Sequence, residues 1–198
     1  MQTVIIGSQE WMSANLSVDR YRNGDPINHS QGGRPWQTIN SGAFCDYCND
    51  PATSRRYGKL YNWYAVHDER GLAPEGWHIP CDGEWHALIE HLGGQLKAGG
   101  LLKEKGTSHW LSPNRAATDT THFHALPGGY INCEGEFIGL YEFAHFWSSS
   151  EETSDDFDCE DLPETYALAW ELWYNETSIR RGTCFGKRCG LSVRCIRN

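Results

Sequence analysis

No apolar run in this chain approaches the length of a membrane span. Its first residues, Met1-Gln2-Thr3-Val4-Ile5-Ile6-Gly7, have neither the basic flank nor the apolar stretch of a secretion signal. Positive charge is in deficit: 17 Lys and Arg face 26 Asp and Glu, a net charge of -9 that argues against a general nucleic-acid binder. The segment from Arg180 to Arg188 is a local exception. Internal repeats and linkers are missing. So are a Ser-His-Asp order, a phosphate-binding glycine loop and a paired-carboxylate motif.

Cysteine is present but thin. Eight thiols, at 45, 48, 81, 133, 159, 184, 189 and 195, are too sparse in 198 residues for a small disulfide scaffold. Cys45-Asp46-Tyr47-Cys48 has the spacing of half a zinc site, with no second pair to complete it. Separate thiols or an occasional disulfide account for the set. Cys195 reads as a small buried apolar residue.

What the chain does have is rings and glycines. Nine Trp, nine Tyr and 21 Gly describe a loop-rich fold with little long regular structure, pinned by wedged aromatics. The length suits one domain, 1–198, with a substantial core. Charged residues at 22% and hydrophobic ones at 39% fit a soluble globular chain.

Val4-Ile5-Ile6 and Trp11-Met12 read as a strand pair, and Asn23-Gly24-Asp25-Pro26 as a turn. From Asn28 to Ser54 the text is polar and is expected to be a long ordered loop anchored by Trp36 and Phe44. Leu60, Trp63, Tyr64 and His67 have helical spacing after Gly58. A stronger signal places Trp85, Leu88, Ile89 and Leu92 at i, i+3, i+4 and i+7, with Pro80 before them, Asp82 as cap and Gly93-Gly94 as stop. His86 and His91 are expected on its solvent side. Phe123–Tyr130 reads as a strand ending in a turn, and Glu136–Gly139, Phe143–Trp147, Ala167–Tyr174 and Leu191–Ile196 read as strands. Two short helices within small antiparallel sheets and long ordered loops make an α+β fold.

The last third changes character between two fixed-looking ends. Phe146-Trp147-Ser148-Ser149-Ser150 opens it, and the polar–apolar alternation of Ser192-Val193-Arg194-Cys195-Ile196 closes it as a half-buried strand. Between them, Arg180 to Cys189 mixes cations, an aromatic, thiols and glycines without a repeat. Such a segment on a rigid frame reads as a recognition surface.

Six motifs occur in order: Tyr57-Gly58-Lys59-Leu60-Tyr61-Asn62-Trp63, Pro74-Glu75-Gly76-Trp77-His78-Ile79-Pro80, Glu84-Trp85, Ala125-Leu126-Pro127-Gly128-Gly129, Phe146-Trp147-Ser148-Ser149 and Ser192-Val193-Arg194-Cys195. In these the chain closely resembles the Fibrobacter succinogenes major paralogous domain family, over about Gln9 to Arg197. The resemblance implies a C-type-lectin-like fold related to the formylglycine-generating enzyme fold. It further implies a variable protein of a diversity-generating retroelement, in which mutated adenines rewrite a ligand-binding surface displayed by a phage virion or bacterial cell. His122, His124 and the long acidic insertion between Glu151 and Thr165 depart from the family pattern.

Adenine mutagenesis of Asn-type codons cannot yield Trp, Glu, Lys, Gln or Met. Trp147, Trp170, Glu171, Trp173, Glu176 and Lys187 are therefore expected to be framework. The permitted residues, within a variable region of about 130–190, are the expected ligand contacts: Ile131, Cys133, Ile138, Tyr141, His145, Arg180, Gly182, Thr183, Cys184, Phe185, Gly186, Arg188 and Cys189. Their aromatic rings supply area and their arginines forked donors. The implied partner is a protein or glycan on a cell surface, with an acidic one suggested by the arginines. Nucleic acid is not expected as the ligand. No catalytic residue, metal site or cofactor is assigned, and the chain is not expected to be an enzyme. Two alternatives stand beside this reading. One is a copper- or thiol-dependent oxidase using Cys184 and Cys189. The other is a lectin binding calcium and sugar through the acidic residues Asp155 to Asp161. A metal held by His122 and His124 on one strand face is a further, weaker option.

Overall fold

The structure is a computed structural model that describes residues 2–151 and 166–198, the side chain of Cys184 excepted. Its elements are β1 (Thr3–Ile6), β2 (Gln9–Met12), β3 (Asn28–His29), α1 (Arg34–Gln37), β4 (Ala43–Cys45), α2 (Pro51–Tyr57), β5 (Leu60–Asn62) and α3 (Trp63–Val66). There follow β6 (Trp77–His78), α4 (Asp82–His91), α5 (Gln95–Leu102), β7 (Gly128–Ile131), β8 (Phe137–Leu140) and β9 (Phe143–Glu151). The chain closes with β10 (Tyr166–Trp173), β11 (Ile179–Gly186), β12 (Gly190–Leu191) and β13 (Ile196–Arg197). The fold is mixed α+β.

Among the described residues the strands form two sheets. The smaller runs β1-β2-β13-β6, so the first and last strands of the chain share one sheet. The larger runs β11-β10-β9-β7-β12-β5-β4-β3, with β8 added to β7. The β1–β2 hairpin turns on Gly7, whose φ of 62° lies in the left-handed region that the tight turn between Ile6 and Gln9 requires.

Helix α4 forms as its periodicity dictates. Trp85, Leu88 and Ile89 are fully buried, and Gly93 and Gly94, both at φ 91°, end it. Its cap is Cys81, not Asp82: the Glu84 carboxylate accepts from the Cys81 N–H at 2.8 Å. Asp82 is drawn away instead, accepting from the Trp170 indole at 3.1 Å and from Arg181 Nε at 2.9 Å. His86 and His91 are exposed, as expected.

Four expectations need correction. The segment 28–54 holds β3, α1, β4 and the start of α2, although Trp36 and Phe44 are buried anchors as expected. The helix read from Leu60 is half strand: Leu60–Asn62 pairs with β4, and helix begins only where the Asn62 side chain accepts from Ala65 N–H at 3.1 Å. Of the strand and turn expected over Phe123–Tyr130, the strand begins only at Gly128, because His122 and His124 sit at φ 55° and 56°, which breaks any alternation there. Those imidazoles share no strand face, and His124 pairs with Asp119 at 2.9 Å. Finally, Ser192 to Cys195 is buried throughout rather than on one face, leaving only two-residue strands at either end.

The strands β9, β10 and β11 separate two bodies of core. On one side Trp11, Trp85, Phe123, Phe146 and Trp170 interlock, with Trp11 and Trp85 ring centres 4.9 Å apart. On the other side lie Tyr61, Trp63, Trp147, Val193 and Cys195. Buried rings of this size supply most of the apolar area a loop-rich chain can remove from water. Trp147 and Trp170, both fully buried, are framework in the full sense.

Candidate functional site

Strand alternation decides what β9–β11 present. Ala144 and Phe146 enter one core, so Phe143, His145 and Trp147 point the other way. On β10, Trp170 and Leu172 share the side of Phe146, leaving Glu171 and Trp173 beside His145. Register then sets Arg180 opposite Glu171 and Gly182 opposite Ala169. A row of rings results. Phe143 stacks on His145 at 5.6 Å and meets Trp173 at 5.0 Å, while His145 lies 4.9 Å from Tyr130 and 5.2 Å from Phe185. Tyr130, Phe143, Trp173 and Phe185 are all half-buried. Ile138 is the register partner of Tyr130 across β7–β8 and extends the face.

Beneath the rings His145 faces Glu171. His145 is 3% exposed, and its Nε2 sits 3.5 Å from Glu171 Oε2. That is an ion-pair distance without hydrogen-bond alignment, and among the described residues Nδ1 has no hydrogen-bond partner. Burial by itself would raise the Glu171 carboxyl. The His145 imidazole, the Trp173 indole donating at 3.0 Å and the Arg180 charge outweigh it, and hold the group below 4.5. A carboxyl depressed in the fold contributes stability above its unfolded pKa and loses it as pH falls through the folded value. Melting temperature is therefore expected to hold down to about pH 5 and to fall below it. Glu171→Gln should lower stability at pH 7 and flatten that acid limb; an unchanged limb in the variant would refute the assignment.

The face joins the two segments expected to form the site, but not all of their residues. Phe185 packs on Tyr130 and His145, and Cys133 Sγ lies 3.2 Å from Cys189 Sγ. Ile138, Arg180, Thr183, Gly186 and Arg188 are exposed or half-buried. Ile131 and His145 are buried and cannot offer surface, and Cys189 is 7% exposed. Gly182 is also buried, and it is a packing position: a Cβ there would meet Glu171 Oε1 at 2.3 Å and the Phe185 ring at 2.6 Å. Tyr141 is elsewhere. At 45% exposed it lines an open cleft of about 530 Å³ with Asp50, Arg56, Tyr57 and His109, and among the described residues none from 180 to 189 lines that cleft.

The arginine-rich segment is less available than its composition suggests. Arg180 pairs with Glu176 and lies over the Trp173 ring at 5.1 Å. Arg181 turns to the opposite side, onto Asp82 at 2.9 Å. Lys187 pairs with Glu151 at 3.2 Å, and Arg188 Nε donates to the Ile39 carbonyl at 3.2 Å. An acidic partner recruited by free forked donors is not favoured by this arrangement. The rings are the larger asset: Tyr130 and Phe143 went unassigned in the sequence, and Trp173, expected there as framework, is half-buried on this face. The signal that could have found them is the two-residue alternation running through Phe143-Ala144-His145-Phe146-Trp147.

Among the described residues no group of three or more His, Cys, Asp and Glu is placed to hold a metal. The acidic residues Asp155 to Asp161, which carried the alternative calcium-binding reading, lie outside the described residues, as does the Cys184 side chain. The described neighbour of Cys189 is Cys133. Among the described residues no helix is long and apolar enough to cross a membrane.

No curated protein and no solved structure matches the chain. The family model described as the Fibrobacter succinogenes major domain matches residues 4–197, nearly the whole of it. The chain belongs to that family.

Proposed function

We propose that this chain is a non-enzymatic ligand-binding domain, a variable protein of a diversity-generating retroelement, that holds its ligand against the β7–β9–β10–β11 face. One observation carries the reading. Residues of the permitted types from two distant segments, Cys133 and Phe185 among them, converge on one ring-rich face over a fully buried frame containing Trp147 and Trp170. Half-buried aromatics give contact area at small rotamer cost, which suits a protein or glycan of a cell surface. The C-type-lectin-like scaffold belongs to this proposal. It is supported by the mixed architecture, the long connections and the pairing of the last strand, β13, with β2 of the first hairpin.

Purified chain would be assayed against glycan arrays and against intact cells of candidate hosts. Trp173→Ala and Phe185→Ala are expected to weaken binding by about tenfold or more. Ile5→Ser, on the 75% exposed β1 position away from this face, should leave it unchanged. Equal affinity in all three would overturn the placement of the site. A neighbouring template repeat with adenines at the codons for Cys133, Ile138, Phe185 and Arg188 would support diversification; identical codons without adenine in that template would count against it.

A further inference from the structure

We propose that Cys133 and Cys189 are a disulfide-forming pair, a modification site that clamps the two segments of the ligand face together. Cys133 stands in the turn between β7 and β8, and Cys189 in the turn between β11 and β12. They are 56 positions apart, yet their sulfurs lie 3.2 Å from each other. The space is kept by Gly186, where a Cβ would stand 2.7 Å from Cys133 Sγ and 4.0 Å from Cys189 Sγ. The second turn is itself closed by the Cys189 N–H donating to the Gly186 carbonyl at 2.8 Å. Both turns are thus held with their thiols facing.

The two thiols differ in the way an ordered exchange requires. Cys133 is half-buried and open to an incoming reagent, whereas Cys189 is 7% exposed. The hydrogen bond between the two sulfurs, helped by the nearby Arg188, favours a thiolate on Cys133 over the opposing effect of burial. Cys189 is pushed the other way. The Cys133 thiolate attacks one sulfur of a small external disulfide such as oxidised glutathione. That bond breaks, one glutathione thiolate leaves, and a mixed disulfide forms on Cys133. Cys189 then loses its proton and attacks Cys133 Sγ, expelling the second glutathione. Two protein thiols are oxidised, and one glutathione disulfide is reduced to two thiols.

What the bond does for ligand binding rests on the proposed function, since it would fix the Phe185 side of the face against Tyr130. The bond itself is read without any ligand, so the two claims can fail separately. The whole chain would be equilibrated with oxidised glutathione, alkylated and mapped by peptide mass. The expected result is a Cys133–Cys189 linked peptide with no glutathione retained on either residue, and a melting temperature raised by about 5 °C over the reduced chain. Cys133→Ala should abolish both changes. Gly186→Val should slow formation of the bond while leaving both thiols present. A stable glutathione adduct on Cys133, or linkage of Cys189 to another cysteine, would overturn the proposal.

Discussion

Arg194→Met is expected to lower the stability of this protein by about 3–5 kcal/mol, one of the largest losses any single substitution here should produce. The guanidinium is 1% exposed. It donates to the Met12 carbonyl at 3.0 Å, to the Phe123 carbonyl, and through Nε and one terminal nitrogen to Asn15 Oδ1 at 3.0 and 2.6 Å. Its flat face covers the Phe123 ring at 4.3 Å and the Phe146 ring at 5.6 Å. Among the described residues it makes no ion pair, so oriented oxygens and the two ring faces do most of the work of balancing its charge. Methionine would leave those buried acceptors without donors, at about 1–3 kcal/mol for each one lost. Lysine keeps the charge but cannot reach three acceptors in a planar fork, so Arg194→Lys should recover only part of the loss. Urea denaturation reads this directly. A drop below about 1 kcal/mol for the methionine variant would show that the network is dispensable.

Gly99→Ala is the second large effect, and its sign is the point. On helix propensity alone, alanine in the middle of α5 should stabilise by about 1 kcal/mol. The packing predicts the reverse. An added Cβ would stand 2.3 Å from the Ser178 carbonyl oxygen and 2.7 Å from that of Thr177, both backbone atoms that cannot rotate aside. Gly100 makes a matching approach on its own side, where a Cβ would come within 2.6 Å of the Ala116 oxygen. Thermal melting is expected to show a loss of about 2–3 kcal/mol for Gly99→Ala. A gain would mean that α5 can withdraw from the 177–178 turn at little cost.

These two positions also mark where sequence reading succeeds and where it stops. Helix α4 was legible because Trp85, Leu88 and Ile89 state both its period and its buried side. Helix α5 was not. Its Gly99-Gly100 pair argues locally against helix, and only the chain segments at 116 and 177–178 reveal why glycine must be there. Arg194 misled for the opposite reason. In Ser192-Val193-Arg194-Cys195 it takes the polar place in an alternating pattern, which normally means solvent. In the fold, the oxygens of Met12, Asn15 and Phe123 solvate it instead, from more than 70 positions away.

The candidate site divides along the same line. Parts of the two segments singled out in the sequence do meet on the ring-rich face, and Trp147 and Trp170, read as frame, are buried, because residue type and local period carry that information. The sequence could not tell that His145 is buried under Phe143, Tyr130 and Phe185, or that Gly182 makes room for Glu171. Nor could it tell that Tyr141 belongs to a different cleft. Composition, helix period and motif order were settled by the chain alone, since each depends on neighbours a few residues apart. Which side of β9 meets solvent, which thiols meet and which arginine is buried were decided by strand register across distant segments. A shift of one residue in that register exchanges the two sides of a strand, and no local pattern fixes it.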